Sequence, residues 1–207
     1  MGGLLGKKIR MTQIFDDTGR VHSVTVIAAG PCYVTQVKSS DVDGYDAIQI
    51  GYSEIKEKHL KNAQAGLFKK VGIKPQKHLR EFENFFDKDV KPGDELTVDI
   101  FKEGETVRIS GISKGRGFQG AMKRHGFSGA NKTHGQSDRW RAPGSLGQSS
   151  WPSRVFKGIK MAGRMGTDRV TVPGTEVIKI DQEKNLIFVK GPVPGTTDSL
   201  VEILKLQ

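Results

Sequence analysis

Residues 114–166, KGRGFQGAMKRHGFSGANKTHGQSDRWRAPGSLGQSSWPSRVFKGIKMAGRMG, set the strongest limit on how this chain can fold. They hold 11 Lys and Arg against one acid, Asp138, in a chain with 33 basic and 23 acidic residues. The other 154 residues therefore carry 22 of each sign, and the whole net charge of +10 sits in one quarter of the chain. The same quarter has 11 glycines, both tryptophans (Trp140 and Trp151) and only three Val, Ile or Leu. Such a segment has too little apolar surface to offset the entropy of ordering itself. Something outside it must order it, and the partner that its charge selects is a polyanion.

The remaining 154 residues are enough to bury a proper core. A pI near 9.7 with the charge clustered on one segment is the footprint of a nucleic-acid binder. An acidic membrane surface is the rival partner. No apolar run approaches the roughly 18 residues that would span a bilayer, and the glycine-rich stretch has no amphipathic period, so no membrane partner is expected. The opening MGGLLGKKIRMTQIF is too short in its apolar part for a signal peptide and runs on into strand-like sequence. Cys32 is the only cysteine, which excludes a disulfide framework and a thiolate zinc site. A soluble protein of a reducing compartment is expected.

Alternation in period two marks the N-terminal third as strands. Val24 and Val26 alternate with Ser23 and Thr25; Ile48, Ile50 and Tyr52 alternate with Gln49 and Gly51. Asp43-Gly44 signals a turn. Ala63, Leu67 and Val71 recur every four positions, which predicts a short helix closed near Gly72 and before Pro75. Glu81 to Asp89, acidic and carrying Phe82, Phe85 and Phe86, reads as an insert packed on the strands. Strands resume over Leu96–Ile100, and a turn at 103–105 leads into Val107–Ser110 as a hairpin. Val170–Val172, a Pro173-Gly174 turn, Val177–Ile180, a turn at Asp181–Lys184, Leu186–Val189 and Val201–Leu206 complete the pattern.

Short strands at roughly ten-residue spacing predict a mainly β fold, a closed or nearly closed antiparallel barrel. The barrel core is expected over 1–112 and 167–207, with a small helix-containing insert around 53–92. The basic stretch, 113–166, leaves between two strands as a long loop. At ~3.3 Å per residue, about 26 residues each way reach at most roughly 85 Å. A core of this size has a radius of gyration of only ~15 Å, so the loop can extend well past its own domain.

Gly115-Arg116-Gly117-Phe118-Gln119-Gly120 fits the dinucleotide pattern G-x-G-x-x-G, but Gly126, Gly129 and Gly135 break a following helix and no βαβ unit surrounds it. These glycines instead suit close approach of backbone to a phosphate chain, with Arg116 supplying charge. His125, His134, Asp138 and Ser145 assemble a hydrolytic triad only on paper, since a triad needs a rigid scaffold. The two histidines lack further ligands of the right type for a metal. No cofactor, metal or small-molecule substrate is expected, and no catalysis.

Lys123-Arg124, Arg139-Trp140-Arg141 and Trp151-Pro152-Ser153-Arg154 interleave cations with aromatic rings. Arginine pairs bidentately with phosphate and stacks on bases, and tryptophan offers a stacking face; alternatively the tryptophans staple the loop's two arms together. An irregular, glycine-rich probe suits folded RNA better than the B-DNA major groove. The expected RNA-binding set in the loop is Lys114, Arg116, Lys123, Arg124, His125, Lys132, His134, Arg139, Trp140, Arg141, Gln148, Trp151, Arg154, Lys157, Lys160 and Arg164. Lys7, Lys8 and Arg10 form a smaller basic cluster, either RNA-binding or a solvated face.

Several blocks, in order, resemble the bacterial large-subunit ribosomal protein three family over essentially the whole chain: GLLGKKIRMTQIF at the start, Ser113 to Gly120 with Arg124, THG at 133–135, RAPGSLGQ at 141–148 and PSRVFKGIKMAGRMG at 152–166. The resemblance implies a translation-protein type β-barrel on the outer body of the ribosome. It also implies a loop running inward through rRNA towards the peptidyl transferase centre, binding near the 3′ end of large-subunit rRNA, a part in starting subunit assembly and no enzymatic activity. The implied partners are large-subunit rRNA and neighbouring ribosomal proteins, and the implied location is the cytoplasmic ribosome. Arg10 stands where the family usually has glycine. Some members methylate a glutamine two residues beyond the one matching Gln148; that position is Ser150 here, so the modification is expected to be absent. A translation-factor-like nucleotide enzyme would need a P-loop, and G-x-x-x-x-G-K-[ST] does not occur. A DNA architectural protein is the other rival.

Overall fold

The computed structural model describes residues 2–16, 18–83 and 90–206. In chain order the strands and helices are β1 (Gly3–Phe15), β2 (Val21–Ala29), β3 (Cys32–Lys38), α1 (Ser40–Asp43), β4 (Ala47–Glu54), α2 (Asn62–Val71), β5 (Gln76–Glu83), β6 (Glu95–Leu96), β7 (Thr106–Ile112), β8 (Phe118–Gln119), α3 (Ala121–His125), β9 (Gly163–Arg164), β10 (Arg169–Asp181), β11 (Leu186–Lys190) and β12 (Leu200–Lys205). Met1–Ser113 with Arg169–Gln207 form one compact unit and Lys114–Asp168 a second.

Six strands of the first unit close a barrel in the order β1-β12-β7-β10-β11-β2. Every pair is antiparallel. Registered partners share a face of the sheet, and that face is the core: Leu4 lies opposite Ile203, Ile203 opposite Ile109, Ile27 opposite Ile187 and Val177 opposite Val189. All seven are fully buried. Closure leaves the barrel itself without the open edges that invite aggregation.

A second sheet of order β5-β4-β3-β6 belongs to the same unit. Its Cys32, Val34, Ile50 and Phe82 join the barrel residues in one buried cluster. Glu202 on β12 ties the two sheets, accepting from Arg80 Nε on β5 at 3.0 Å and from Arg169 at the first residue of β10. The elaboration is therefore larger than the expected 53–92, since β3 and β4 also lie outside the barrel. Its helix is α2, closed as expected by Gly72 in the left-handed region. Phe68 is its buried contact, whereas Ala63 of the expected stripe is exposed.

Two other expectations give way, and a third is only partly described. Leu96–Ile100 is not a hairpin arm: only Glu95–Leu96 pair, with β3, and Val98–Ile100 form a 3₁₀ turn. Val98 and Phe101, three positions apart as a 3₁₀ turn requires, drop into the core, while Thr97 Oγ1 donates to Asp99 Oδ2 at 2.7 Å and holds the turn. Pro173-Gly174 does not reverse the chain; β10 runs on through it, with the register shifting between Val172 and Thr175. A bulge suits a residue that has no N–H to offer the ladder. Of the acidic aromatic patch, Glu81–Glu83 end β5 with Phe82 buried, and the rest of it, residues 84–89, lies outside the described residues.

The second unit begins where β7 and β10, paired from Thr106 to Ile112, let the chain out after Ser113. Its neck is a short ladder: β8 pairs with β9, Arg116 N–H donates to Met165 O at 2.8 Å and Met165 N–H to Gly117 O at 3.0 Å. Gly166 has φ +82, and a Cβ there would fall 2.1 Å from the Lys114 carbonyl oxygen. Gly166→Ala therefore faces both left-handed strain, ~1–2 kcal/mol, and a collision with backbone. Amide exchange at Arg116 and Met165 is expected to speed up by about tenfold or more, the change that ~1.4 kcal/mol produces; unchanged exchange would show that the neck is held by something else.

Cys32 supplies a second test, of the core. Burial pushes its thiol up to about 12, and Sγ lies 3.4 Å from the Leu5 carbonyl. An acid whose pKa is raised on folding carries less thiolate when native, so iodoacetamide at pH 8 should label the folded protein at least ~100-fold more slowly than the unfolded chain. Equal rates would mean that β3 opens readily from the barrel.

Candidate nucleic-acid interface

Ala121 is the only buried residue of 114–168 among the described residues. With so few apolar contacts inside, hydrogen bonds and glycine turns give this unit its shape. Gly120 precedes α3, whose last turn carries Lys123, Arg124 and His125, and Gly126 ends it in the left-handed region. Two of these three bind the opposite arm. Arg124 Nη1 donates to the Met161 carbonyl at 2.8 Å, and His125 Nε2 lies 3.0 Å from the same oxygen, a bond that needs the proton on that nitrogen. The Arg124 guanidinium lies so close to Gly163 that a Cβ there would meet Nη1 at 2.6 Å.

Farther out, Ala130 N–H donates to the Trp140 carbonyl at 3.1 Å. Gly129, with φ +75, sits so near that a Cβ would come within 2.4 Å of that oxygen. This contact holds 126–130 against 136–144. The half-buried Trp140 ring has Lys132 Nζ at 4.7 Å and the Arg141 guanidinium carbon at 5.9 Å from its centre, each attracted to the electron-rich face. Arg154 stands likewise 5.5 Å from the centre of Phe156. Trp151, in contrast, is 80% exposed. Stapling of the two arms is thus done by backbone, Arg124 and His125, with neither indole bridging them.

Lys114, Arg116, Lys123, Lys132, His134, Arg139, Arg141, Gln148, Arg154, Lys157, Lys160 and Arg164 are all exposed. The single carboxylate of 114–166, Asp138, accepts from Ser137 Oγ at 3.2 Å. One acid cannot neutralise eleven cations, so residues 114–166 present an excess of positive charge. Three of the four residues of the paper triad set are engaged elsewhere: Ser145 Oγ donates to Gly147 O at 2.9 Å, Asp138 accepts from Ser137 and His125 holds Met161. The strand after Gly117 pairs antiparallel with β9, which removes the βαβ unit that a dinucleotide site requires. Among the described residues no cluster of His, Cys, Asp and Glu could hold a metal ion, and no helix is long and apolar enough to cross a membrane.

The N-terminal cluster divides differently. Lys8 Nζ donates to the carbonyls of Val193 at 2.6 Å and Gly195 at 3.2 Å, which makes it a clamp on the 191–199 loop. Lys7 Nζ lies 3.4 Å from Ser53 Oγ. Arg10, beside the bulge where the β1–β2 register shifts, is exposed. Phe118, Phe127 and Phe156 were not among the sequence-derived candidates. Phe118 is 73% exposed and Phe156 49%. The signal for them was available: an aromatic residue in a segment too poor in apolar residues to form a core has no interior to enter.

Comparison with known proteins agrees with this arrangement. Residues 82–186 match the family model described as Ribosomal protein L3. The chain is 52% identical over 205 residues to "Large ribosomal subunit protein uL3" of Chloroherpeton thalassium, covering 99% of each protein. It is 50% identical over 208 residues to the protein of that name from Chlorobium limicola, covering 100% of each. With that from Roseiflexus sp. it shares 52% over 201 residues, 97% of this chain and 95% of the other. Identity at this level along the full length, barrel and basic loop alike, places the chain in the ribosomal protein L3 family.

Proposed function

We propose that this chain is a structural constituent of the large ribosomal subunit, without enzymatic activity, in a ribosome of bacterial type. It binds large-subunit rRNA near the 3′ end, helps to start subunit assembly, and passes its basic loop inward towards the peptidyl transferase centre. The observation that carries the reading is the second unit: eleven cations and one acid in 114–166, with one buried side chain among the described residues. Phosphate crowding in folded RNA is the environment that offsets such charge.

Within that reading the side chains divide. Arg124 and His125 shape the loop through Met161. Lys114, Arg116, Lys123, Lys132, Arg139, Arg141, Arg154, Lys157, Lys160 and Arg164 meet phosphates, and His134, Gln148, Trp140 and Trp151 meet bases or sugars. Lys7 and Arg10 add a smaller contact from the barrel, with Lys8 acting behind them on the 191–199 loop. Binding is coupled to ordering: the loop is flexible in the free protein and takes one shape in RNA. Neighbouring ribosomal proteins are further partners.

Deletion of 125–160 tests the assignment, with the barrel's thermal transition as the control for folding. Weakened binding to large-subunit rRNA and incomplete subunit assembly are expected; undiminished affinity together with normal assembly would sink it. Salt gives an independent measure. With ~6–10 phosphate contacts, affinity should fall by ~10³–10⁵ between 50 and 200 mM salt, and a flat response would assign recognition to non-ionic contacts.

A further inference from the structure

Between the segments joined at the Trp140 carbonyl lies a cleft of about 840 Å³, lined by Gly126, Phe127, Gly129, Gln136, Arg139 and Pro143 among others. That volume falls within the ~300–1,000 Å³ of sites that hold a small organic ligand. Its walls combine three features. Small residues leave the backbone bare; one aromatic ring, Phe127, stands 6.1 Å from the His125 ring; and one amide and one guanidinium, Gln136 and Arg139, reach the same space.

We propose that this cleft is a site for one unstacked nucleotide of the rRNA, its base against Phe127, its Watson–Crick edge on the Gln136 amide and its phosphate on Arg139. The proposal rests on rRNA binding by the loop and adds a defined base-reading position to it. Each part follows from the chemistry of the lining. An unpaired base splayed out of single-stranded RNA gains a stacking partner from an aromatic side chain and presents its pairing edge for hydrogen bonds. A primary amide is donor and acceptor together, which is what a pairing edge requires. Arginine matches phosphate bidentately. A peptide partner would need no base-sized gap beside a guanidinium, and the surrounding cations favour a polyanion. Gly129 sets the width of the gap, because a Cβ at that position would strike the Trp140 carbonyl oxygen and push the two walls apart.

Phe127 and Gln136 thus separate base reading from charge. Removing one base stack costs roughly 5- to 150-fold in affinity, whereas the phosphate contacts of the loop stay in place. The test uses the full chain bound to full-length large-subunit rRNA, with base edges mapped nucleotide by nucleotide: dimethyl sulfate for adenine and cytosine, a carbodiimide for guanine and uracil. One nucleotide shielded by the wild-type protein is expected to regain reactivity with Phe127→Ala and with Gln136→Ala, and to stay shielded with Phe127→Tyr, which retains a stacking ring. If the wild-type protein binds the rRNA but no nucleotide depends on both residues, the cleft is not a base site and the rRNA reading stands. If Phe127→Tyr behaves like Phe127→Ala, the ring acts in packing and the proposal fails. If the wild-type protein does not bind the rRNA, both readings fall together. Equilibrium dialysis with adenosine monophosphate alone forms the last arm: saturation without RNA, with no shielded nucleotide in the complex, would make this a free-nucleotide site and overturn the assignment.

Discussion

Where β7 and β10 pair, Ile112 lies opposite Arg169, so the chain leaves the barrel and re-enters it across one rung of a ladder. That pairing makes a long, weakly apolar insertion tolerable. Closing a flexible loop costs entropy that grows only slowly with its length, and here the barrel already holds both ends. The same rung is anchored from outside, because Arg169 and Arg80 share the Glu202 carboxylate. The second sheet, the barrel and the exit point of the basic segment thus meet at one acid. On its other side β7 pairs with β12, where Ile109 and Ile203 lie in register and fully buried.

From that exit the stabilising interactions change in kind. In the barrel, apolar burial dominates and the sheets need few charges. In 114–168, among the described residues, one side chain is buried, and the shape depends on carbonyl oxygens taking cations and amides: Met161 from Arg124, Trp140 from Ala130, Met165 from Arg116. Hydrogen bonds exposed to water contribute little net stability each. A unit built this way is shaped but weakly stabilised, which suits a loop that completes its ordering on RNA. The neck and α3 narrow the set of conformations open to the unit, which lowers the ordering cost that any partner has to meet.

Period-two alternation located Leu186–Val189 because that strand turns Ile187 and Val189 to the core. In β2 it marked a strand but not its inward face, since Thr25 and Ile27 are buried as deeply as Val24 and Val26 and it is Thr25 and Ile27 that register with Val189 and Ile187. It failed at Leu96–Ile100, where Val98 is buried by a 3₁₀ turn instead of a pleat, and spacing alone cannot separate the two. Pro173-Gly174 read as a reversal because those residues favour turns; a bulge uses the same pair for the same reason, the missing N–H and the positive φ at Gly174. The second sheet was hidden for a different cause. Nothing local in Cys32–Lys38 says which sheet the strand will join, since that choice is made by long-range partners such as Leu5 and Phe82. The loop was legible as a separate basic unit because charge and glycine content are compositional. Which cations face outward was not: Lys8 and Arg124 look like any other basic residues until the carbonyls that hold them are placed.

The two tryptophans show how far composition can mislead about role. Both lie among cations and glycines, and both qualify as stacking faces. Trp140, however, already has Lys132 and Arg141 over its ring and lends its carbonyl to Ala130, so a base would have to displace a cation to stack there. Displacing it releases an ammonium or guanidinium that phosphate can then take, which makes the exchange close to balanced and dependent on salt. Trp151 stands 80% exposed and offers its face outright. Trp140 is therefore braced by two cations of its own unit, whereas the Trp151 face is left uncovered.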